Sequence, residues 1–266
     1  MLSNNFLLDS KSISRLSSKG LSVDSLKQQL DEDIDFSLEL WHSQGLEIVK
    51  KYSYFYFSTK FMSVSEAEFC IVDIETNGSK IEKHQIIEIA AIRVKNGVII
   101  DKFESLVRCK EINEHITNIT GIKTQDTENA PELKDVLYKF KNFLGDSIFV
   151  AHDVKFDYSF ISASLEKIGL APLLNRSLCS LALAERTLSS YRYALSYLND
   201  FFELNPSATH HRAMSDVMTT YELFMLSMQN CDRSIKTAEE LIKFSKMGKR
   251  LKRPKFDPLK ESQEEE

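Results

Sequence analysis

An α/β domain built on one mixed sheet is the fold class this 266-residue chain predicts. Three apolar runs in close succession, "FCIVDIETNG", "QIIEIAAIRVKNG" and "VIIDKFESLV", read as a meander of strands, with "KNG" marking a hairpin turn. After them, helical patterns alternate with the short buried strand "SIFVAH". Hydrophobic residues make up 42% and charged residues 27%, so the chain can bury a substantial core.

Three segments follow from the composition: 1–64, 65–230 and 231–266. In the first, "SISRLSSKG", "SVDSLKQQL" and "DFSLELWHSQG" read as short amphipathic helices, the second with Ser22 as its cap. The aromatic stretch "LEIVKKYSYFYFST" then reads as a hairpin, completing a winged-helix-like module. Such modules place their third helix in the major groove, but here that helix carries Asp35 and Glu39 and no Lys or Arg. Packing or partner docking is therefore the expectation for this module.

In the second segment, "APELKDVLYKFKNFLG" is a helix running from Pro131 to a stop at Gly145. "DYSFISASLEKIG" is a helix closed by Gly169. "LCSLALAERTL", "YALSYLNDFFEL" and "HRAMSDVMTTYELFMLSM" are read as three more helices. The third segment is expected to be a tail, basic over "KFSKMGKRLKRPK" and acidic at "ESQEEE".

Other classes are excluded by what the sequence lacks. Net charge is −5, which argues against binding nucleic acid by bulk electrostatics. Cys70, Cys109, Cys179 and Cys231 are widely spaced with no CxxC pair, so reduced thiols are expected rather than a disulfide frame or zinc site. No secretory pattern or membrane-length apolar run is present, and the expectation is a soluble cytoplasmic chain with no membrane partner.

Chemistry concentrates in three places. Asp73 and Glu75 point to the same side of a strand otherwise made of Cys70, Ile71, Val72 and Ile74. Like charges so close repel, and a hard divalent cation relieves them. A strand end where both acids face water explains the pair equally well. In "VAHDVKFDYSFI", His152 and Asp153 lie at a strand end, where ligands gather in open α/β sheets. Asp157 occupies the first turn of the next helix, which also suits the helix dipole. In "HHRAMSDVMTTYELF", a histidine near Asp216 suits a general base, and chemistry alone leaves His210 and His211 both open.

Together "DIE", "HDVKFD" and "HRAMSD", with the linking text "ITNITGIKTQDTENAPELKDVLYKFKNFLGD", resemble the three motifs of the DEDDh 3′–5′ exonuclease family over about Glu68 to Met228. Within it the chain is most similar to proofreading subunits of the epsilon type of bacterial DNA polymerase III. The resemblance implies a ribonuclease H-like mixed sheet flanked by helices and two divalent cations, Mg²⁺ or Mn²⁺. Asp73, Glu75, Asp157 and Asp216 would be metal ligands. His211, in the family's His-x-Ala-x-x-Asp spacing with Ala213, would be the base. Thr76, Asn77, His152 and Phe156 would contact substrate. Asp153 departs from the Asn common among relatives.

Such a site clamps the attacking and leaving oxygens between ions about 4 Å apart. The expected reaction releases nucleoside 5′-monophosphates from single-stranded or frayed DNA 3′ ends, since a stacked base must be freed first. The resemblance also implies proofreading or repair beside a DNA polymerase III catalytic subunit. Two alternatives remain at this stage: an exoribonuclease of the same superfamily, and a silent scaffold working through the winged-helix-like module.

Overall fold

The computed structural model describes residues 8–30, 33–209 and 211–261, with residues 260 and 261 described by backbone alone. The first element among the described residues is α1 (Ser10–Leu16), whose first turn is capped by the Asp9 carboxylate accepting from the Ser12 amide at 2.6 Å. There follow β1 (Leu21–Ser22), α2 (Val23–Lys27) and α3 (Ile34–His42). Ser22 caps α2 as expected, accepting from the Ser25 amide at 3.2 Å. The aromatic stretch forms β2 (Ile48–Lys51) and β3 (Tyr54–Phe57), in an antiparallel sheet of order β1-β3-β2. Leu16, Leu21, Leu26, Trp41, Phe55 and Phe57 make a core of their own.

The main sheet comprises β4 (Glu68–Thr76), β5 (Ile86–Lys95), β6 (Val98–Leu106), β7 (Ile148–Ala151) and β8 (Ser177–Cys179), in the order β6-β5-β4-β7-β8. The first three form the expected antiparallel meander, and β7 and β8 add in parallel. Between β6 and β7 lie α4 (Glu114–Thr120), α5 (Thr124–Thr127) and α6 (Leu133–Leu144). Then come α7 (Val154–Lys167), α8 (Ser180–Thr187), α9 (Leu195–Phe202), α10 (Ala213–Gln229), α11 (Ala238–Met247) and α12 (Pro258–Glu261). Among the described residues no helix is long and apolar enough to cross a membrane.

Strand alternation sorts β4 into two faces. Cys70, Val72 and Ile74 enter the core shared with α6 and α7, through Phe140, Phe160 and Leu165. Phe69 and Ile71 enter the other core with α8, α10 and α11, through Leu183, Val217, Phe224 and Ile242. Asp73 and Glu75 continue this second series, toward the face covered by α10.

Two expectations change. "LCSLALAERTL" is not one helix, because Leu178 and Cys179 pair with β7 before α8 begins. A strand of three residues is too short to show a period of its own. Nor do residues 231–247 behave as a tail. Ala238, Leu241 and Ile242 are fully buried, and Thr237 with Glu240 forms a capping box. Buried Glu239 accepts from Arg176 at 2.5 and 3.1 Å and from the Thr59 hydroxyl at 2.8 Å. It thereby ties the N-terminal unit, the entry to β8 and α11 together.

Candidate active site

β4 outruns its neighbour β7: their pairing ends at Ile71↔Val150, while β4 continues to Thr76. Beyond that point the Ile74 amide donates to Asp157 Oδ1 at 3.2 Å, drawing the acid of α7 against the strand. From the α10 side, Asp216 and His211 close in. One ligand atom each from Glu75, His211 and Asp216 lies within 4.8 Å of the others.

Asp157 and Asp216 are buried, and Asp73 and Glu75 half-buried. Burial, then the neighbouring Asp157, Glu75, Asp216 and Glu88, hold the Asp73 carboxyl well above its usual range. Burial, with Asp216 and Glu88, pushes Glu75 up to about 8, against some relief from Arg212. Burial, with Asp153 and Glu75, pushes Asp157 up to about 8, although hydrogen bonds from its own and the Ile74 amide oppose this. A set of acids that must share protons when alone fits hard divalent cations, which take carboxylate oxygens. Asp73, Glu75, Asp157 and Asp216 are the acids here that could hold such ions.

The sequence reading missed Glu88. It is 1% exposed and lies directly across from Glu75 in the β4–β5 register. Its carboxylate accepts from the Arg212 guanidinium at 2.9 and 3.3 Å and from the Ala213 amide at 2.9 Å. An anion at the first turn of α10 satisfies an orphan amide there and suits the helix dipole. Glu88 thus fixes the start of the helix that carries Asp216. The signal was legible: "IIEIAAI" is another lone acid in an apolar strand.

His211 adopts φ 61°, and its backbone N–H donates to Asp216 Oδ2 at 3.0 Å. A left-handed histidine is uncommon, and this turn is held by Asp216 and by Arg212 on Glu88. His210 lies outside the described residues. Asp153 also adopts a left-handed conformation, φ 69° and ψ 61°, at the start of α7. Asn and Asp are the non-glycine residues that tolerate it best, so the departure from Asn keeps the backbone and adds a charge facing Asp157.

The remaining expected contacts are placed less uniformly. Phe156 presents a ring 39% exposed on the first turn of α7, beside Phe160. The Thr76 hydroxyl donates to the Gly78 carbonyl at 3.0 Å. Gly78 cannot be replaced easily, since a Cβ there would meet the His84 ring at 2.5 Å. The Asn77 side chain donates to the Glu111 carbonyl at 3.3 Å and accepts from the Gln85 amide at 2.8 Å, at the edge of a cleft of about 740 Å³ that includes Arg108 and Lys110. His152 has both ring nitrogens engaged within the protein. Burial keeps it neutral, so Nε2 donates to the Tyr193 carbonyl at 2.8 Å and Nδ1 accepts from the Ser180 hydroxyl at 3.0 Å.

Comparison with known proteins agrees with this geometry. The exonuclease family model RNase_T matches residues 70–224. DNA polymerase III of the PolC type from Staphylococcus haemolyticus (strain JCSC1435) is 37% identical over 168 residues, 62% of this chain and 12% of that protein. The Staphylococcus epidermidis (strain ATCC 12228) counterpart is 36% identical over 169 residues, 63% of this chain and again 12% of its own. The chain therefore spans about 12% of the length of these relatives. Exonuclease X in complex with 5′ overhanging duplex DNA superposes with a TM-score of 0.53 at 26% identity, covering 66% of this chain and 99% of that one. Exonuclease I of E. coli in complex with a dA16 oligonucleotide shares the fold, with a TM-score of 0.57 at 17% identity over 62% of this chain and 41% of that one. All three motifs fall inside the matched residues, and the chain belongs to the exonuclease family, in its DEDD 3′–5′ group.

Proposed function

We propose that the chain is a metal-dependent 3′–5′ exonuclease that removes nucleoside 5′-monophosphates from single-stranded or frayed DNA ends. The observation that carries this reading is the convergence of Asp73, Glu75, Asp157 and Asp216 from three elements, with His211 beside them. DNA as substrate is supported by the neighbours, Exonuclease X and Exonuclease I, in complexes with DNA. Work beside a DNA polymerase III is supported by the PolC-type relatives.

Two divalent cations, Mg²⁺ or Mn²⁺, would supply charge stabilisation for the attacking and leaving oxygens of an in-line displacement. Asp73, Glu75, Asp157 and Asp216 hold the site rigid from β4, α7 and α10. His211 takes the proton of the attacking water as its oxygen bonds to phosphorus. The bond from phosphorus to the 3′ oxygen breaks, and that oxygen leaves with the shortened strand. Phe156, Thr76 and Asn77 border the position of the terminal nucleotide. His152 supports the loop before α7 through Tyr193 and Ser180.

The test uses 5′-labelled oligonucleotides with Mg²⁺ or Mn²⁺: single-stranded DNA, a primer with a mismatched 3′ end, and the same sequence as RNA. An Asp73→Ala, Glu75→Ala double variant is the blank. Stepwise shortening of DNA from the 3′ end, faster on the mismatch and lost in the blank, is expected. Faster shortening of RNA would move the assignment to an exoribonuclease, and no shortening of any substrate would overturn it.

A further inference from the structure

The basic stretch Lys243–Lys255 is the sequence motif that the exonuclease reading leaves unused, and it lies outside the residues matched by the family. Its second half is not a free arm. Residues 249–257 form no helix or strand and cross α8 as a strap, pinned by two charged side chains buried beneath it. Arg186, 8% exposed, donates to the carbonyls of Gly248 at 2.8 Å and Lys246 at 3.0 Å. Glu185, 5% exposed, forms ion pairs with Arg250 and Arg253, each at 3.0 Å. The Leu251 amide donates to the Glu185 carbonyl at 2.8 Å, and the Tyr197 hydroxyl donates to Asp257 at 2.6 Å. Charges buried in this way are costly unless paired, so the path of the strap is specified rather than incidental.

What the strap presents outward is positive. Lys249, Lys252 and Lys255 are exposed at every third residue, at most roughly 10 Å apart along an extended chain. The loop that carries Tyr193 connects it to the candidate site. Arg253 lies 5.0 Å over the Tyr193 ring, and the Tyr193 carbonyl accepts from His152. His152 in turn precedes Asp153 and the turn of α7 that carries Asp157. The reacting end of a polyanionic strand must enter a cluster of acids on a chain of net charge −5, so the strand needs positive charge next to that cluster.

We propose that the strap is a phosphate track: Lys249, Lys252 and Lys255 hold the backbone of the single-stranded segment leading to the catalytic carboxylates. This rests on the exonuclease reading above and adds to it a determinant of substrate length. The track acts on nucleotides upstream of the reacting phosphate, so long strands depend on it and very short ones do not.

The experiment compares the full chain with a Lys249→Gln, Lys252→Gln, Lys255→Gln variant. A Lys27→Gln, Lys102→Gln, Lys139→Gln variant removes the same charge from exposed positions elsewhere. Binding of fluorescein-labelled oligo(dT) of roughly twenty nucleotides is followed by anisotropy in EDTA, between about 50 and 200 mM KCl. The slope of log K against log salt is expected to fall by about 2 in the strap variant, about 0.7 for each phosphate contact on a single strand. With Mg²⁺, KM for the long oligonucleotide is expected to rise about tenfold or more, and KM for a trinucleotide less than about twofold. An unchanged salt slope, an equal KM effect on the trinucleotide, or the same losses in the control variant would overturn the track. If the strap lysines govern binding but the parent chain shortens no substrate, the exonuclease reading fails, and with it the track's role in feeding the acids, while the strap is shown to bind single strands. If shortening proceeds and binding ignores the lysines, the track alone fails.

Discussion

Asp73, Glu75 and Asp157 set the behaviour of the site before any metal arrives. Glu75 and Asp157 titrate near 8, far above a carboxylate in the unfolded chain. Between about pH 4 and 8 the metal-free native state therefore holds more protons than the unfolded one, and its stability falls as pH rises. Thermal unfolding in EDTA should show a higher Tm at about pH 5.5 than at about pH 8.5, and saturating Mg²⁺ should reverse much of that loss. A metal-free Tm that climbs across this range would contradict the clustered acids. Asp153 allows a finer test. Asn keeps the left-handed turn and removes a charge that raises Asp157, so Asp153→Asn should move the acid limb of the pH–rate profile to lower pH. Glu88→Gln removes the charge that pairs with Arg212 at the start of α10. Mispositioned Asp216 and His211 should lower kcat by roughly 10²-fold, against a stability loss of about 1–3 kcal/mol by urea unfolding.

At the scale of elements, the parts with a period announced themselves. β4, β5 and β6 carried runs of nine or ten residues with a hairpin signal, and α10 carried its motif on a long amphipathic pattern. The acids became a specific signal only as a set: Asp73 and Glu75 alone were explained as well by a solvated strand end, and it was the three ordered segments together that pointed to one site. What escaped was set by tertiary contact. β8 exists because β7 offers it an edge, and Ser177–Cys179 alone carries no signal. α11 looked like the start of a charged tail, since Lys243 and Lys246 surround its few apolar residues. Glu239 and Arg176, far apart in sequence, decide its position. The protein partners of His152 and Asn77 were not legible either, because the Tyr193 and Glu111 carbonyls that accept from them lie far along the chain.

Across the whole molecule, the site and the N-terminal unit lie at opposite ends of the sheet. The acids gather beyond the C-terminal end of β7, whereas Gln44 accepts from the Leu174 amide and Gly45 approaches Asn175 ahead of β8. A side chain on Gly45 would meet Asn175 at 2.3 Å, so the seam is close-fitting. Arg176 lies 4.1 Å over Phe57, Lys243 donates to the Ser17 carbonyl at 2.7 Å, and Glu239 joins both sides. Units tied by buried charge and packed rings should unfold together. Calorimetry should give one transition, and Mg²⁺ bound only at the catalytic acids should raise all of it, by about 2.7 kcal/mol at a hundred times Kd. Glu239→Ala leaves Arg176 half-enclosed and unpaired, at a cost of about 3–5 kcal/mol, and breaks the joint. Its transition should split, with Mg²⁺ moving only the part that belongs to the five-stranded sheet. A parent chain that already unfolds in two steps, one of them blind to Mg²⁺, would show that the seam carries packing but no coupling.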